Sequence, residues 1–397
     1  MHRSLLAAAV LWPAFVLAAP YQPASDDQVL ERVSARATDP RARELAALRA
    51  AWQREPRNPE VAVRLARRWF DEALASGDPR YVGHAQAALG PWWTEAAPPS
   101  EVRVQRAKLL QYSHRFDAAL TDLDAVVRAD PGDPEAWASR AAIRMVRGDY
   151  DGARQDCQSM AALTTPVLTA GCSAYADALA GRADAASATL AAALTAAPRS
   201  TGTEERLWAL TRLAEIEELR GADAAAEVAY RAALALAEPD VYLQAAYADF
   251  LLDHGRAAEA LARLTADKKD ARDAARADVL LLRLALAAKA TGDPRGAAWT
   301  RELASRFDAA RARGDTTHEK EESRFALALL GDAPRALALA KSNYAVQREV
   351  ADARALLEAA LAARDVAAAA PVLEWMQKNQ VPHPILKRLA QQIGTLR

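Results

Sequence analysis

The chain has 397 residues, with a hydrophobic content of 51% and a charged content of 26%, the make-up of a folded protein and not of a disordered one, long enough for several domains or one repeat array. Lys+Arg 51 against Asp+Glu 52 leaves a formal net charge of -1, and with no basic cluster that balance argues against a protein that coats nucleic acid. Much of the apolar count is alanine, the strongest helix former, and the 16 Gly and 20 Pro cluster between alanine-rich stretches, so an all-β or collagen-like chain is disfavoured.

At the start, Leu5 to Ala18 is apolar and uncharged, about fourteen residues against the roughly twenty that a membrane span requires. With His2 and Arg3 before it and the small residues Ala18 and Ala19 at its end, the run reads as a secretory signal peptide, residues 1–18, cut after Ala18. An exported, periplasmic or secreted protein without a membrane span is expected. Residues 19–58 read as a linker with capping helices, Asp26 to Arg54 being helical in two pieces broken at Asp39-Pro40.

From Pro59 onward one punctuation recurs. Gly77-Asp78-Pro79, Gly148-Asp149, Gly181-Arg182, Gly221-Ala222-Asp223, Gly255-Arg256, Gly292-Asp293-Pro294 and Gly331-Asp332-Ala333-Pro334 each separate two alanine-rich runs. Glycine can adopt the left-handed conformation that ends a helix, aspartate can accept from the free amides that open the next, and proline suits the first helical turn. Asp130-Pro131-Gly132-Asp133-Pro134, Ala197-Pro198 and Glu238-Pro239-Asp240 alternate with these turns. Two helices and two turns make a unit. Units begin near Pro59, Ser100, Pro134, Val167, Leu207, Val241, Asp278, Thr317 and Val350, giving about nine repeats over residues 59–379. Pro371 falls inside the second helix of the last unit, where it either bends that helix or shows the phase to be wrong. Residues 380–397 read as a C-terminal capping helix after the Pro382–Pro384 break.

Cys157 and Cys172 lie on either side of the turn at Thr164-Thr165-Pro166. Two antiparallel helices flanking that turn would set the sulfurs opposite each other, so a disulfide is expected, the alternative being two buried thiols.

The unit from Pro134, with Trp137, Ala141, Gly148, Tyr150, Ala153 and Cys157, resembles the tetratricopeptide repeat family. So do the units from Ser100 (Ala107, Phe116, Ala119, Leu123, Pro131), from Leu207 (Ala214, Gly221, Ala226, Tyr230, Ala233) and from Val241 (Ala248, Gly255, Ala260, Leu264). The resemblance implies an all-α, right-handed superhelical solenoid in which small residues let paired helices approach and each unit buries its apolar face on its neighbour.

A search for chemistry finds little. The histidines do not form an H-E-x-x-H pair, and His318 with Glu322 falls short of a metal site and reads as a solvated helix start. Phosphate loops and a nucleophile elbow are absent. Neither catalytic residues, a metal nor a cofactor is expected. What the resemblance implies instead is a concave groove lined by the first helix of each unit. Carried over by position, that groove includes Lys108, Gln111, Tyr112, Met145, Val146, Tyr175, Trp208, Glu215, Glu218, Tyr242, Asp249 and Asp253. Its middle would be acidic and aromatic, suiting an extended protein or peptide segment with basic and apolar side chains. Val104 with Lys108, and Ala138 with Ala142, do not reproduce the family's clamp for a terminal carboxylate. The expectation is a non-catalytic protein-binding scaffold of the cell envelope. The rival is a structural factor in envelope polysaccharide or cell-wall assembly, with Tyr112, Tyr175 and Trp208 stacking on sugars.

Overall fold

The computed structural model describes residues 40–237, 240–266 and 277–396. The signal-peptide reading, the break at Asp39 and the linker before Pro40 lie outside them. The chain divides into two units after Glu44, and the repeat array belongs wholly to the second, which starts at Leu45.

Helix α1 (Pro40–Arg54) is followed by nine helix pairs among the described residues. They are α2 and α3 (Pro59–Ser76, Arg80–Ala88), α4 and α5 (Ser100–Tyr112, Phe116–Ala129), and α6 and α7 (Pro134–Val146, Tyr150–Ser159). Next come α8 and α9 (Pro166–Asp177, Ala183–Ala196), α10 and α11 (Thr203–Arg220, Asp223–Leu234), and α12 and α13 (Val241–Asp253, Ala257–Leu264). The last three are α14 and α15 (Asp278–Thr291, Gly296–Ala312), α16 and α17 (Glu319–Phe325, Ala333–Val346), and α18 and α19 (Val350–Ala363, Ala370–Lys378), before a final α20 (Pro384–Gly394). The described residues contain no strand. The fold is a superhelical solenoid of tetratricopeptide-like pairs, and the first helices begin within four residues of the expected starts.

The turn chemistry accounts for this phase. All seven recurrent glycines take positive φ, from 66° to 84°. Asp133, Asp149 and Asp332 cap the next helix by accepting from its first amides, each worth about 1 kcal/mol. Along the seam Ala107, Ala141 and Ala214 of the first helices, and Ala119, Ala153, Ala226 and Ala260 of the second, are fully buried. Leu123, Cys157, Tyr230 and Leu264 fill the space beside them, because a helix pair that meets through methyl groups leaves room for one large side chain per turn. Gly171 shows the limit of this close packing. A Cβ there would lie 2.5 Å from the Trp208 ring, so the indole occupies the space that a side chain would need. Cys157 and Cys172 are bonded, with 5.6 Å between their Cα atoms, and closing this loop of 15 residues contributes about 3 kcal/mol.

The solenoid does not end as a ribbon with an open trough. Leu356, Leu357, Val372, Trp375, Leu386, Leu389 and Ile393 from the last helices share one core with Tyr150, Val167, Ala174, Leu179, Leu190, Ile216 and Leu219. The indole N–H of Trp375 donates to the Tyr150 hydroxyl at 2.8 Å, and the Arg348 amide donates to the Val146 carbonyl at 2.7 Å. At the other end, a Cβ on Gly77 would collide with the Ala277 methyl group. The superhelix has therefore turned far enough for its first pair to meet the start of the seventh and its ninth to meet the third to fifth. The terminal helix covers apolar surface, but in the hollow as well as on the last pair. Pro371 is accommodated by a restart: a short 3-10 turn, Ala367–Ala369, precedes α19, and Pro371 sits in that helix's first turn, where its missing N–H costs nothing.

Closure distinguishes two glycines. Gly221 has φ 71° and a Cβ there would lie 2.8 Å from Pro384 Cγ, whereas Gly255 has the same φ and open space around it. Gly255→Ala should cost about 1–2 kcal/mol for the left-handed backbone alone. Gly221→Ala should cost roughly 1–3 kcal/mol more by pressing on α20. Urea unfolding of the two variants side by side checks this; equal losses would mean that α20 does not bear on Gly221.

Candidate functional site

Closure leaves a cavity of about 230 Å3 in the hollow. Six of the residues placed in the groove from sequence line it: Tyr175, Glu215, Glu218, Tyr242, Asp249 and Asp253. The others do not. The Lys108 ammonium is paired with Glu135, Tyr112 packs edge-on against Phe70 at 6.0 Å, Met145 and Trp208 pack on the core, and Gln111 and Val146 lie outside the lining.

The acidic side chains are not waiting in open water, as an empty groove would have them. Asp249 receives both Arg283 (Nη2–Oδ2 2.5 Å) and Arg324 (Nη1–Oδ2 2.9 Å, Nη2–Oδ1 3.0 Å). Burial would raise its carboxyl, but the two guanidinium groups win and hold it well below the usual carboxylate range. Asp253 takes Arg354 in the same two-pronged way, at 2.5 Å and 2.7 Å, and Arg354 also reaches Glu358 at 2.7 Å. Such forks fix orientation as well as charge. Both tie the sixth pair to units 75 and 101 residues further on, so the ion pairs are part of the closure.

Glu215 lies 2.9 Å from Arg212 and accepts from the Tyr242 hydroxyl. The Arg212 guanidinium stands over the Tyr175 and Tyr242 rings, 4.6 Å and 5.0 Å from their centroids. Among the described residues Glu218 has no such cation and its side chain accepts only from the Tyr230 hydroxyl, at 2.7 Å, and burial pushes its carboxyl up to about 8. Burial also pushes the His383 imidazole down to about 4, so it is neutral near pH 7. Lys320 is lowered by burial but raised more by Glu321 and Asp352, and keeps its charge although both carboxylates are 3.8 Å away. Tyr242 is 51% exposed and marks where water reaches the lining.

Arg283, Lys320, Glu321, Arg324, Glu349, Arg354 and His383 are lining residues that the sequence pattern did not single out. Glu321 and Arg354 hold the fifth place of the units from Thr317 and Val350, so the positional rule extended to the last two units would have found them. Arg324 stands at the eighth place, where a small residue is expected, which was itself a signal. Nor is the segment after His318 a solvated helix start. Glu322 is buried between Arg311 and Arg335, the latter at 2.6 Å. Among the described residues no group of three or more His, Cys, Asp or Glu side chains could hold a metal ion, and no helix is long and apolar enough to cross a membrane.

No family model matches the chain, and no curated protein does. Matches among solved structures include a human IFIT1 dimer with PPP-AAAA, at 12% identity and TM-score 0.44 over 91% of this chain and 88% of that one. The Cut9–Hcn1 hetero-tetramer of APC/C matches at 12% identity and TM-score 0.40, over 80% of this chain and 52% of that one, so this chain spans about half its length. The TPR domain of P58(IPK) matches at 16% identity and TM-score 0.25, over 75% of this chain and 98% of that one. The likeness in each case is one of helix-repeat architecture.

Glu218 makes stability depend on pH. Below about pH 4.5 the carboxyl is protonated in both folded and unfolded chains. Between there and about 8 the folded protein keeps a proton that the unfolded chain releases, so this group's effect is a loss of stability as pH rises through that window. Glu218→Gln, which stays neutral and still accepts from Tyr230, should therefore be more stable than the wild type at pH 8.5 by roughly 1–3 kcal/mol, screening by cavity water keeping the figure modest. The difference should vanish by pH 5. Thermal unfolding at the two pH values measures it.

Proposed function

We propose that this chain is a non-catalytic scaffold of the bacterial cell envelope that holds a short segment of another protein in its central cavity. The observation that carries the reading is the cavity itself. It is walled by ion pairs from the fifth to ninth pairs and open at Tyr242, and its walls are already ordered, so little conformational entropy opposes a guest. A short segment suits the cavity better than a long extended one, because Glu349, Val350 and Arg354 at α18 and His383 before α20 form part of its wall. Export is supported by the apolar run at Leu5–Ala18 and by the Cys157–Cys172 bond, which suits an oxidising compartment. The sugar-stacking alternative has less support, since Tyr112 and Trp208 are partly buried and packed against cores and the Tyr175 ring lies under Arg212.

Arrays of octapeptides and of glycans probed with the labelled full chain test the proposal. Peptide binding is expected, weakened at least tenfold by Tyr242→Ala with the melting temperature little changed. Binding to glycans alone, or peptide binding indifferent to Tyr242, would remove it.

A further inference from the structure

We infer that the guest presents a cation, a lysine- or arginine-type side chain or a chain-terminal amine, which enters between Glu218 and Glu321 beneath the tyrosine rings. The inference rests on the cavity being the binding site and adds the chemistry of what it takes.

The charges decide the sign. Six carboxyl groups line the cavity (Glu215, Glu218, Asp249, Asp253, Glu321 and Glu349), all but Glu218 ionised before a guest arrives, against four cations, Arg283, Lys320, Arg324 and Arg354. The three arginines are committed: two to Asp249, one to Asp253. Arg212 serves Glu215 from behind. Glu349 accepts from the Asp352 amide in the cap of α18, so what remains for a guest is the protonated Glu218 carboxyl and the Glu321 carboxylate, beside the single ammonium of Lys320. Glu321 is the telling one. It is only 7% exposed, it is held below its usual range by Lys320 and Arg283 although burial opposes this, and it lines the cavity without a hydrogen bond from another side chain among the described residues. Its closest cation is 3.8 Å away. A backbone amide is the hydrogen-bond donor that Glu321 has, so a guest ammonium would add a charge-assisted hydrogen bond to a buried carboxylate. The rings agree with the charge. Tyr230 and Tyr242 spend their hydroxyl protons on Glu218 and Glu215, which leaves their π faces and the carboxylate lone pairs, and not these two hydroxyl donors, for the guest. Arg212 already shows that this lining takes a cation over its rings.

Glu218 then exchanges its proton for the guest. The groups facing it are Glu215 on its own helix, Tyr230 on α11, Tyr242, Asp249 and Asp253 on α12, Glu349 and Arg354 at α18, and His383 before α20. Burial keeps the carboxyl protonated in the empty cavity, with Glu215, Asp253 and Asp249 adding to it. An arriving cation favours the carboxylate, and the released proton leaves to solvent.

Titration of the full chain with capped Ala-Lys-Ala, Ala-Gln-Ala and Ala-Glu-Ala, followed by NMR at pH 6.5 and 8.5, tests this. The lysine peptide should bind at least tenfold tighter than the glutamine peptide. Its affinity should rise about twentyfold between the two pH values, as expected for a carboxyl near 8 that must ionise. Glu218→Gln, expected to fold, should abolish the rise, and Glu321→Gln should weaken the lysine peptide at both pH values. Preference for the glutamate peptide, or equal binding of all three, would overturn the cation while leaving a peptide cavity standing. Binding of none would overturn both.

Discussion

Replacing Asp249 by alanine lowers the stability of the folded chain by about 3–5 kcal/mol, the scale for breaking a buried ion pair from one side. The Arg283 and Arg324 side chains are 8% and 15% exposed, and both point their guanidinium groups at this one carboxylate. Without it two cations face each other across the cavity in a setting that water reaches poorly. Asp249→Asn should lose less, because the amide oxygen still accepts from one arginine. Lysine at the same place should be worse than alanine, so a charge reversal of Asp249 would test folding and not recognition; Tyr242 and Glu218 are the positions that test recognition. Urea unfolding measures all three, and a loss below about 1 kcal/mol for the alanine variant would mean that the Asp249 cluster does not hold the units together.

Trp375→Ala is the second large effect, again about 3–5 kcal/mol. The ring is 6% exposed in the core that α19 and α20 share with α8 to α10, and its removal also leaves the Tyr150 hydroxyl without its donor. Trp375→Phe separates these contributions, since it keeps most of the apolar surface and gives up the hydrogen bond, worth about 1 kcal/mol. Limited proteolysis should release a fragment beginning near Val381 from the alanine variant and not from the wild type. Because contacts between Tyr150 and Trp375 link the third pair directly to the ninth, unfolding of the wild type should be a single transition, unlike the pair-by-pair fraying of an open array.

The unit phase was readable because it is written locally. A glycine with positive φ, an aspartate cap and a buried alanine each occupy a fixed place in every unit, and each acts within one helix pair. The acidic lining was readable for the same reason: Glu215, Glu218, Asp249 and Asp253 follow from their places in their own helices. What the residues could not declare is how far the superhelix turns. In a stacked array every unit is read against its neighbour, so nothing about Trp375, Leu386 or Ile393 separates an end cap from a plug for surface two hundred residues upstream. The same holds for charge. Asp253 and Arg354 each look like a solvated groove residue in their own unit, and only closure turns them into a pair.

Closure is thus the claim on which cavity, ion pairs and proposed guest all depend, and cysteine trapping tests it most directly. Val146 and Arg348 are joined by a backbone hydrogen bond of 2.7 Å, and the native cysteines are already bonded to each other, so the double variant Val146→Cys with Arg348→Cys carries one free pair. The closed solenoid predicts a second disulfide forming rapidly and completely under mild oxidation, found by mass spectrometry as a link between the peptides that carry positions 146 and 348. Two thiols that remain free and label fully in the folded protein would contradict it and return the trough to an open state.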